Sequence, residues 1–163
     1  MRSIFSFPNP VNEKAARVVA AAVLVTALVT LATGAYWLLI PLAYGFWARV
    51  LTGPTLSPLG WLAQNVISRA LGPKKPVAGP PKRFAQGMGA VMSTAALVFA
   101  LIAGNHTVAD GLLIVLALAA GLESIFALCL GCEVFRLLIR AGLVPDAVCA
   151  ECADISARLS AAG

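Results

Sequence analysis

Charged residues are missing from long stretches of this 163-residue chain, and that constrains the fold more than any motif does. Val18 to Thr33 carries no charge, and beyond Gly34 neither does Ala35 to Ala48. Phe84 to Gly104 is also uncharged. After a polar tip, NHTVAD (Asn105 to Asp110), the block Gly111 to Cys132 carries only Glu123. A spanning helix needs about 20 apolar residues, range roughly 17 to 25. The last two blocks meet that length. The first two are shorter, with Lys14, Arg17 and Arg49 placed to snorkel at their ends. Charged residues make up 12 % of the chain, against about 25 % in soluble domains. Seven acids and twelve bases cannot cover a globule of this size. A soluble enzyme, a disordered tail and a nucleic-acid-binding module are excluded, which leaves an integral membrane protein. The net charge of +5 then reads as topology and lipid contact.

The basic residues choose the topology. With four spans and a cytoplasmic N-terminus, the inner segments hold Arg2, Lys14, Arg17, Arg49, Arg69, Lys74, Lys75, Lys82, Arg83, Arg136, Arg140 and Arg158, which is all twelve. Joining the first two blocks into one span would put nine of them outside. The positive-inside bias therefore predicts a multi-pass protein of the cytoplasmic (inner) membrane with both termini cytoplasmic. The polar, proline-broken first seventeen residues lack the pattern of a cleaved signal peptide, so the first span is expected to stay as an anchor.

The expected architecture is an all-α four-helix membrane bundle over 1–141, with spans near 16–33, 35–51, 84–104 and 111–132, and a cytoplasmic tail over 142–163. Asn12 can cap the first helix with Glu13 in its first turn. Gly34 suits the outer turn, Pro41 should kink span two, and Tyr36, Trp37, Trp47 and Trp61 suit interfacial belts. Leu56 to Leu71 is too polar to span. It reads as an amphipathic interfacial helix opened by Ser57 or Pro58, with Leu59, Leu62, Val66 and Ile67 on one face. The following GPKKPVAGPPKR, with Pro73, Pro76, Pro80 and Pro81, reads as an extended, non-helical linker.

All four cysteines fall in the last 35 residues, as Cys129-Leu-Gly-Cys132 and Cys149-Ala-Glu-Cys152. Sixteen residues separate the pairs. The topology places both pairs on the cytoplasmic side, where structural disulfides are rare. Three readings stay open. Two CxxC pairs at this spacing can close a four-cysteine zinc site, or hold an iron–sulfur cluster by the same ligand count. Alternatively the pairs exchange disulfides. Asp146 would then cap a C-terminal helix, its positive end would lower the pKa of Cys149, and Cys152 would resolve. If span four continues to Arg140, Cys129 and Cys132 lie inside a helix, where burial raises their pKa and Arg136 could offset it. Thirdly, the cysteines are small buried residues.

Glu123 is the only acid deep within a span. It is a functional-site hypothesis by default, and interhelical glue by the plainer reading. Gln86, Ser93, Ser124 or a base are its candidate partners. Glu133 and Arg136 can pair three residues apart. His106 and Asp110 sit at the outer tip, where a lone histidine is usually solvated. Gly87, Gly89, Ser93 and Ala96 form a small-residue face for close helix packing.

PNPVNEKAAR, PKRFAQGMGAVMS and LESIFALCLGCEVF together resemble an uncharacterised bacterial membrane family, domain of unknown function 4395, frequent in actinobacteria. The resemblance covers roughly Asn9 to Arg140, with Asn12, Lys82, Arg83, Phe84, Glu123, Cys129 and Cys132 at the matching positions. Cys149 and Cys152 lie beyond it. The family has no established activity. Its association with thioredoxin-like and sulfurtransferase-type proteins implies redox or sulfur handling.

The expected function is thus a membrane thiol-redox or sulfur-handling protein working with a cytoplasmic thioredoxin- or rhodanese-like partner. Cys149 attacks, Cys152 resolves, and Cys129 with Cys132 receives the disulfide, or a persulfide is passed, next to Glu123. The alternative is a non-catalytic subunit or scaffold of a membrane complex, its four cysteines holding a structural zinc. Four-span enzymes that oxidise thiols with a quinone share the architecture, but their cysteines face outward, which disfavours a quinone here. A transporter is least favoured, with one intramembrane acid and no inverted repeat.

Overall fold

The computed structural model describes residues 11–73, 76–77 and 79–144. Among these the chain is helical, apart from one antiparallel pairing of two two-residue strands, β1 (Val11–Asn12) and β2 (Pro76–Val77). The helices are α1 (Glu13–Thr33), α2 (Leu39–Thr52), α3 (Pro58–Leu62), α4 (Ser68–Ala70), α5 (Gly79–Leu101), α6 (His106–Phe126) and α7 (Leu130–Arg140). Three of them, α1, α5 and α6, are long and apolar enough to cross a membrane.

Helix α1 begins as expected. The Asn12 side chain accepts from the Lys14 N–H at 3.2 Å, Glu13 follows in the positive first turn, and Gly34 closes the helix at φ 67°. Thr26, Thr30 and Thr33 each donate their hydroxyl to the carbonyl four residues earlier, so none carries an unpaired donor into an apolar layer.

The segment expected near 35–51 is a 3₁₀ turn (Tyr36–Leu38) that leads into the 14-residue α2. Three sequence expectations need correction. Pro41 lies in the first turn of α2, where a missing N–H leaves no intrahelical bond unmade, so it starts the helix and does not kink it. The end of the proline-rich linker is helical, because Pro80 and Pro81 occupy the first turn of α5 and their fixed φ suits it. The helix that contains the block expected near 84–104 therefore begins at Gly79 and ends at Leu101. Span four is not 111–132. It starts at His106, where Asn105 caps it by accepting from the Val108 N–H, and it ends at Phe126.

Helix α1 packs on α6, α6 on α5, and α5 on both α2 and α7. The shared core is built mostly of small and medium side chains, among them Val19, Val23, Ala27, Leu39, Ala90, Ala96, Leu113, Leu116 and Ala120, around the larger Phe46. Of the small-residue face on α5, Gly89, Ser93 and Ala96 are buried. A Cβ on Gly89 would sit 2.2 Å from the Phe46 ring, whereas one on Gly87 would meet open space. The outward faces are also apolar. Val25, Leu28, Val91, Ile114, Leu118 and Ile125 are exposed. A third or less of the most apolar window of each long helix is buried inside the protein, at 33 %, 28 % and 28 %. Such surfaces are compatible with a bilayer.

One end of the molecule gathers the bases. Lys14 Nζ donates to the Leu71 carbonyl at 2.7 Å, Arg83 Nε to the Val50 carbonyl at 3.0 Å, and Arg17 reaches the end of α6. At the opposite end Tyr36 donates to Asp110 at 2.9 Å and stacks on His106 at 4.6 Å, so the histidine is exposed but has an aromatic partner. Along 58–70, where a π-helical stretch (Ala63–Ile67) joins α3 to α4, the protein-facing residues are Gly60, Ala63 and Ser68, while Trp61, Leu62 and Val66 point away.

Candidate dithiol site

The break after α6 creates the site. Ala127 takes φ 57°, the only positive φ among the described non-glycine residues, and its N–H caps α6 on the Leu122 carbonyl. A left-handed L-residue stops the helix at a cost of about 1–2 kcal/mol. The freed carbonyls at the end of α6 find a partner in Arg17 of α1. Its Nε donates to the Ser124 carbonyl at 3.1 Å and its Nη2 to the Ile125 carbonyl at 3.2 Å. A cation at the negative end of a helix is favourable both as donor and as charge. Arg17 is thus a structural cap.

Chain direction then resets at the first cysteine pair. Cys129 is the N-cap residue of α7 in extended conformation, and Cys132 is the third helical residue. The expectation that both lie inside a continuous helix is corrected: they stand at a helix N-terminus, with its unpaired N–H groups and positive dipole end. Both are free thiols; Cys129 is buried and Cys132 half-buried. The hydrogen bond with Cys132 holds the Cys129 thiol below its ordinary pKa, helped by the Lys82 charge and opposed by burial. The same bond and burial push Cys132 up. Of the two thiols, Cys129 is thus the one that loses its proton more readily.

Lys82, in the first turn of α5, forms an ion pair with Glu123 near the end of α6. Both side chains are nearly enclosed, at 9 % and 13 % exposure, so each charge depends on the other. The neutral candidates for Glu123 have other partners. Gln86 accepts from Arg49, Ser93 donates to the Gly89 carbonyl, and Ser124 donates to the Gly121 carbonyl. Arg136 pairs with Glu133 as expected, on the exposed side of α7, and not with the cysteines.

Two contacts hold α7 in place. Phe135 packs against Phe84 with ring centroids 5.4 Å apart. Gly131, between the cysteines, lies against α5 so closely that a Cβ there would stand 2.4 Å from Ala85 Cβ and 2.6 Å from Ala85 Cα. A cavity of about 130 Å³ adjoins the site, its wall including Val23, Phe46, Met92, Leu116, Glu123 and Cys129. Cys129 thus faces an apolar interior.

A model of the family described as domain of unknown function (DUF4395) matches residues 11–140. The chain belongs to this family. The match ends on the last residue of α7, so it contains the whole site, while Cys149 and Cys152 lie outside both the match and the described residues. Asp146 and most of the tail lie outside the described residues too. No curated protein and no solved structure matches the chain.

The family's positions in this chain converge. Lys82, Glu123, Cys129 and Cys132 form the site, Phe84 braces α7, Arg83 binds the end of α2 and Asn12 caps α1. Among the described residues no three His, Cys, Asp or Glu side chains are grouped to hold a metal. Sequence reasoning missed the capping role of Arg17 and the packing role of Gly131. The glycine inside CLGC was the available sign of a close backbone approach.

Proposed function

We propose that this is a multi-pass inner-membrane protein whose Cys129–Cys132 pair exchanges disulfides with a cytoplasmic thioredoxin- or sulfurtransferase-like partner. The observation that carries the reading is a CxxC at a helix N-terminus, with one free thiol buried and the other half-buried. In the oxidised state, an incoming thiolate attacks the more accessible Cys132 sulfur. A new S–S bond forms to Cys132, the Cys129–Cys132 bond breaks, and the electron pair leaves on Cys129. A low-pKa thiol is the better leaving group, and the α7 N-terminus and Lys82 stabilise its charge. A second thiolate on the partner then attacks the partner's sulfur in the mixed disulfide and releases Cys132, which takes up a proton. The partner loses two electrons and the pair gains them. Cys149 is a candidate for the attacking thiolate from within the chain.

Four spans and an inward basic end fit this role. The 3₁₀ turn and α2 together reach about 27 Å, near the roughly 30 Å hydrocarbon core, so they can serve as the short fourth span. The outward Trp61, Leu62 and Val66 suit α3 and α4 to the interface. The clustered bases support a cytoplasmic setting for that end, by the positive-inside rule.

The decisive experiment is purification under mild reduction, then metal content, thiol titre and redox titration. The expected result is metal-free protein in which Cys129–Cys132 cycles by two electrons within roughly −200 to −300 mV, the span of cytosolic dithiol couples. Stoichiometric zinc with no free thiol supports the scaffold reading and overturns this one. Labelling of Cys132 from outside intact cells by an impermeant reagent overturns the orientation.

A further inference from the structure

Arg49, near the end of α2, is a buried cation without an anion. It is 6 % exposed, and no carboxylate lies within ion-pair distance of it among the described residues. Its Nε donates to Gln86 Oε1 at 2.7 Å, its Nη1 reaches Ser57 Oγ at 3.4 Å, and its guanidinium lies 4.7 Å from the Phe46 ring centroid. These are neutral partners. Its Nη2 is buried with no hydrogen-bond partner. A guanidinium held this way is costly unless something negative completes it.

The space for that group is present. Arg49, Lys82, Gln86 and Gln64 all line one cleft of about 60 Å³, with Ala15 and Gly60 also in its wall. At about 15 Å³ per water-sized group, it holds about four such groups, the size of a tetrahedral oxyanion. The unpartnered Nη2 of a guanidinium and two side-chain amides are donors of the kind that phosphate and sulfate oxygens accept from. Lys82 already serves Glu123, so the one carboxylate close to the cleft is taken and Arg49 has no ion-pair partner of its own among the described residues.

We propose that this cleft is an oxyanion-binding site in which Arg49 Nη2 and the Gln64 and Gln86 amides grip a phosphate- or sulfate-type group, either the headgroup phosphate of an anionic lipid or a small free oxyanion. The site is independent of the thiol chemistry.

The test is thermal unfolding of the full-length protein in an uncharged detergent. One arm titrates inorganic phosphate and sulfate against chloride at matched ionic strength. The other titrates phosphatidylglycerol against phosphatidylcholine. The expected result is a saturable rise of the unfolding midpoint, roughly 5–10 °C at a hundredfold excess over the Kd, abolished in Arg49→Gln. Protection by free ions identifies a small oxyanion; protection by phosphatidylglycerol alone identifies a headgroup. If Arg49→Gln does not fold, Gln64→Leu, which leaves the bonds of Arg49 intact, must weaken the protection. No saturable rise in either arm overturns the site, as does an equal rise in wild type and variant.

Discussion

Adding one methyl group at Gly131 should separate α7 from α5. A Cβ there would lie 2.4 Å from Ala85 Cβ and 2.6 Å from Ala85 Cα. Ordinary carbon contacts begin near 3.5 Å, so the two helices must part by about 1 Å. Neither obstacle is a flexible side-chain end, so the strain cannot be relieved by a rotamer change. Overpacking of this kind costs about 1–3 kcal/mol, or roughly 2–12 °C in the unfolding midpoint for a chain of this size. The displacement also pulls Cys129 and Cys132 away from Lys82, so the thiols should lose part of their difference in reactivity. The assay is thermal unfolding of Gly131→Ala in detergent beside Gly87→Ala, where a Cβ meets open space and no loss is expected. Adding Ala85→Gly should rescue only partly, because it removes the Cβ conflict and leaves the Cα conflict. Equal midpoints for Gly131→Ala and Gly87→Ala would refute the close-packing argument, and full rescue by Ala85→Gly would refute its geometry.

Three further outcomes follow from the site. Lys82→Met strands the enclosed carboxylate of Glu123 and should destabilise by about 3 kcal/mol. The double variant Lys82→Met, Glu123→Met should recover most of that loss in chemical unfolding; a double variant as unstable as the single one would show that the pair is not the unit. Ala127→Gly relieves a left-handed alanine and should raise the unfolding midpoint by the equivalent of up to about 1 kcal/mol; a lower midpoint would contradict the strain. Alkylation of Cys129 in a Cys149→Ser, Cys152→Ser background should titrate below the ordinary thiol value of about 8.5. The thiolate is the reactive form, so a lowered pKa keeps reactivity as pH falls towards neutral. Cys132→Ala removes the largest cause and should move the midpoint up; a midpoint that starts at or above the ordinary value argues against thiolate stabilisation.

The distribution of charge and apolar length settled much by itself. A stretch such as Val18 to Thr33 has no stable place in water, and its helical state follows because each backbone polar group must bond within its own segment. The Asn12 cap, the Gly34 turn, the Glu133–Arg136 pair and the small face around Gly89 were legible because each depends on neighbours within one helix or one turn. The candidate site was half legible. CxxC and a lone intramembrane acid marked Cys129, Cys132 and Glu123, but not what they do to one another. The helix break at Ala127 had no local sign, since alanine is the best helix former. Its left-handed turn is held by tertiary terms: Arg17, over a hundred residues away, satisfies the carbonyls of α6, and Gly131 lets α7 dock on α5. Those contacts turn two cysteines from helix-interior residues into an N-terminal pair. The same applies to Lys82 and Arg49, which the sequence could count as positive charges. Only the packing of α1, α2, α5 and α6 gave one of them an ion-pair partner and left the other, among the described residues, with neutral hydrogen-bond partners.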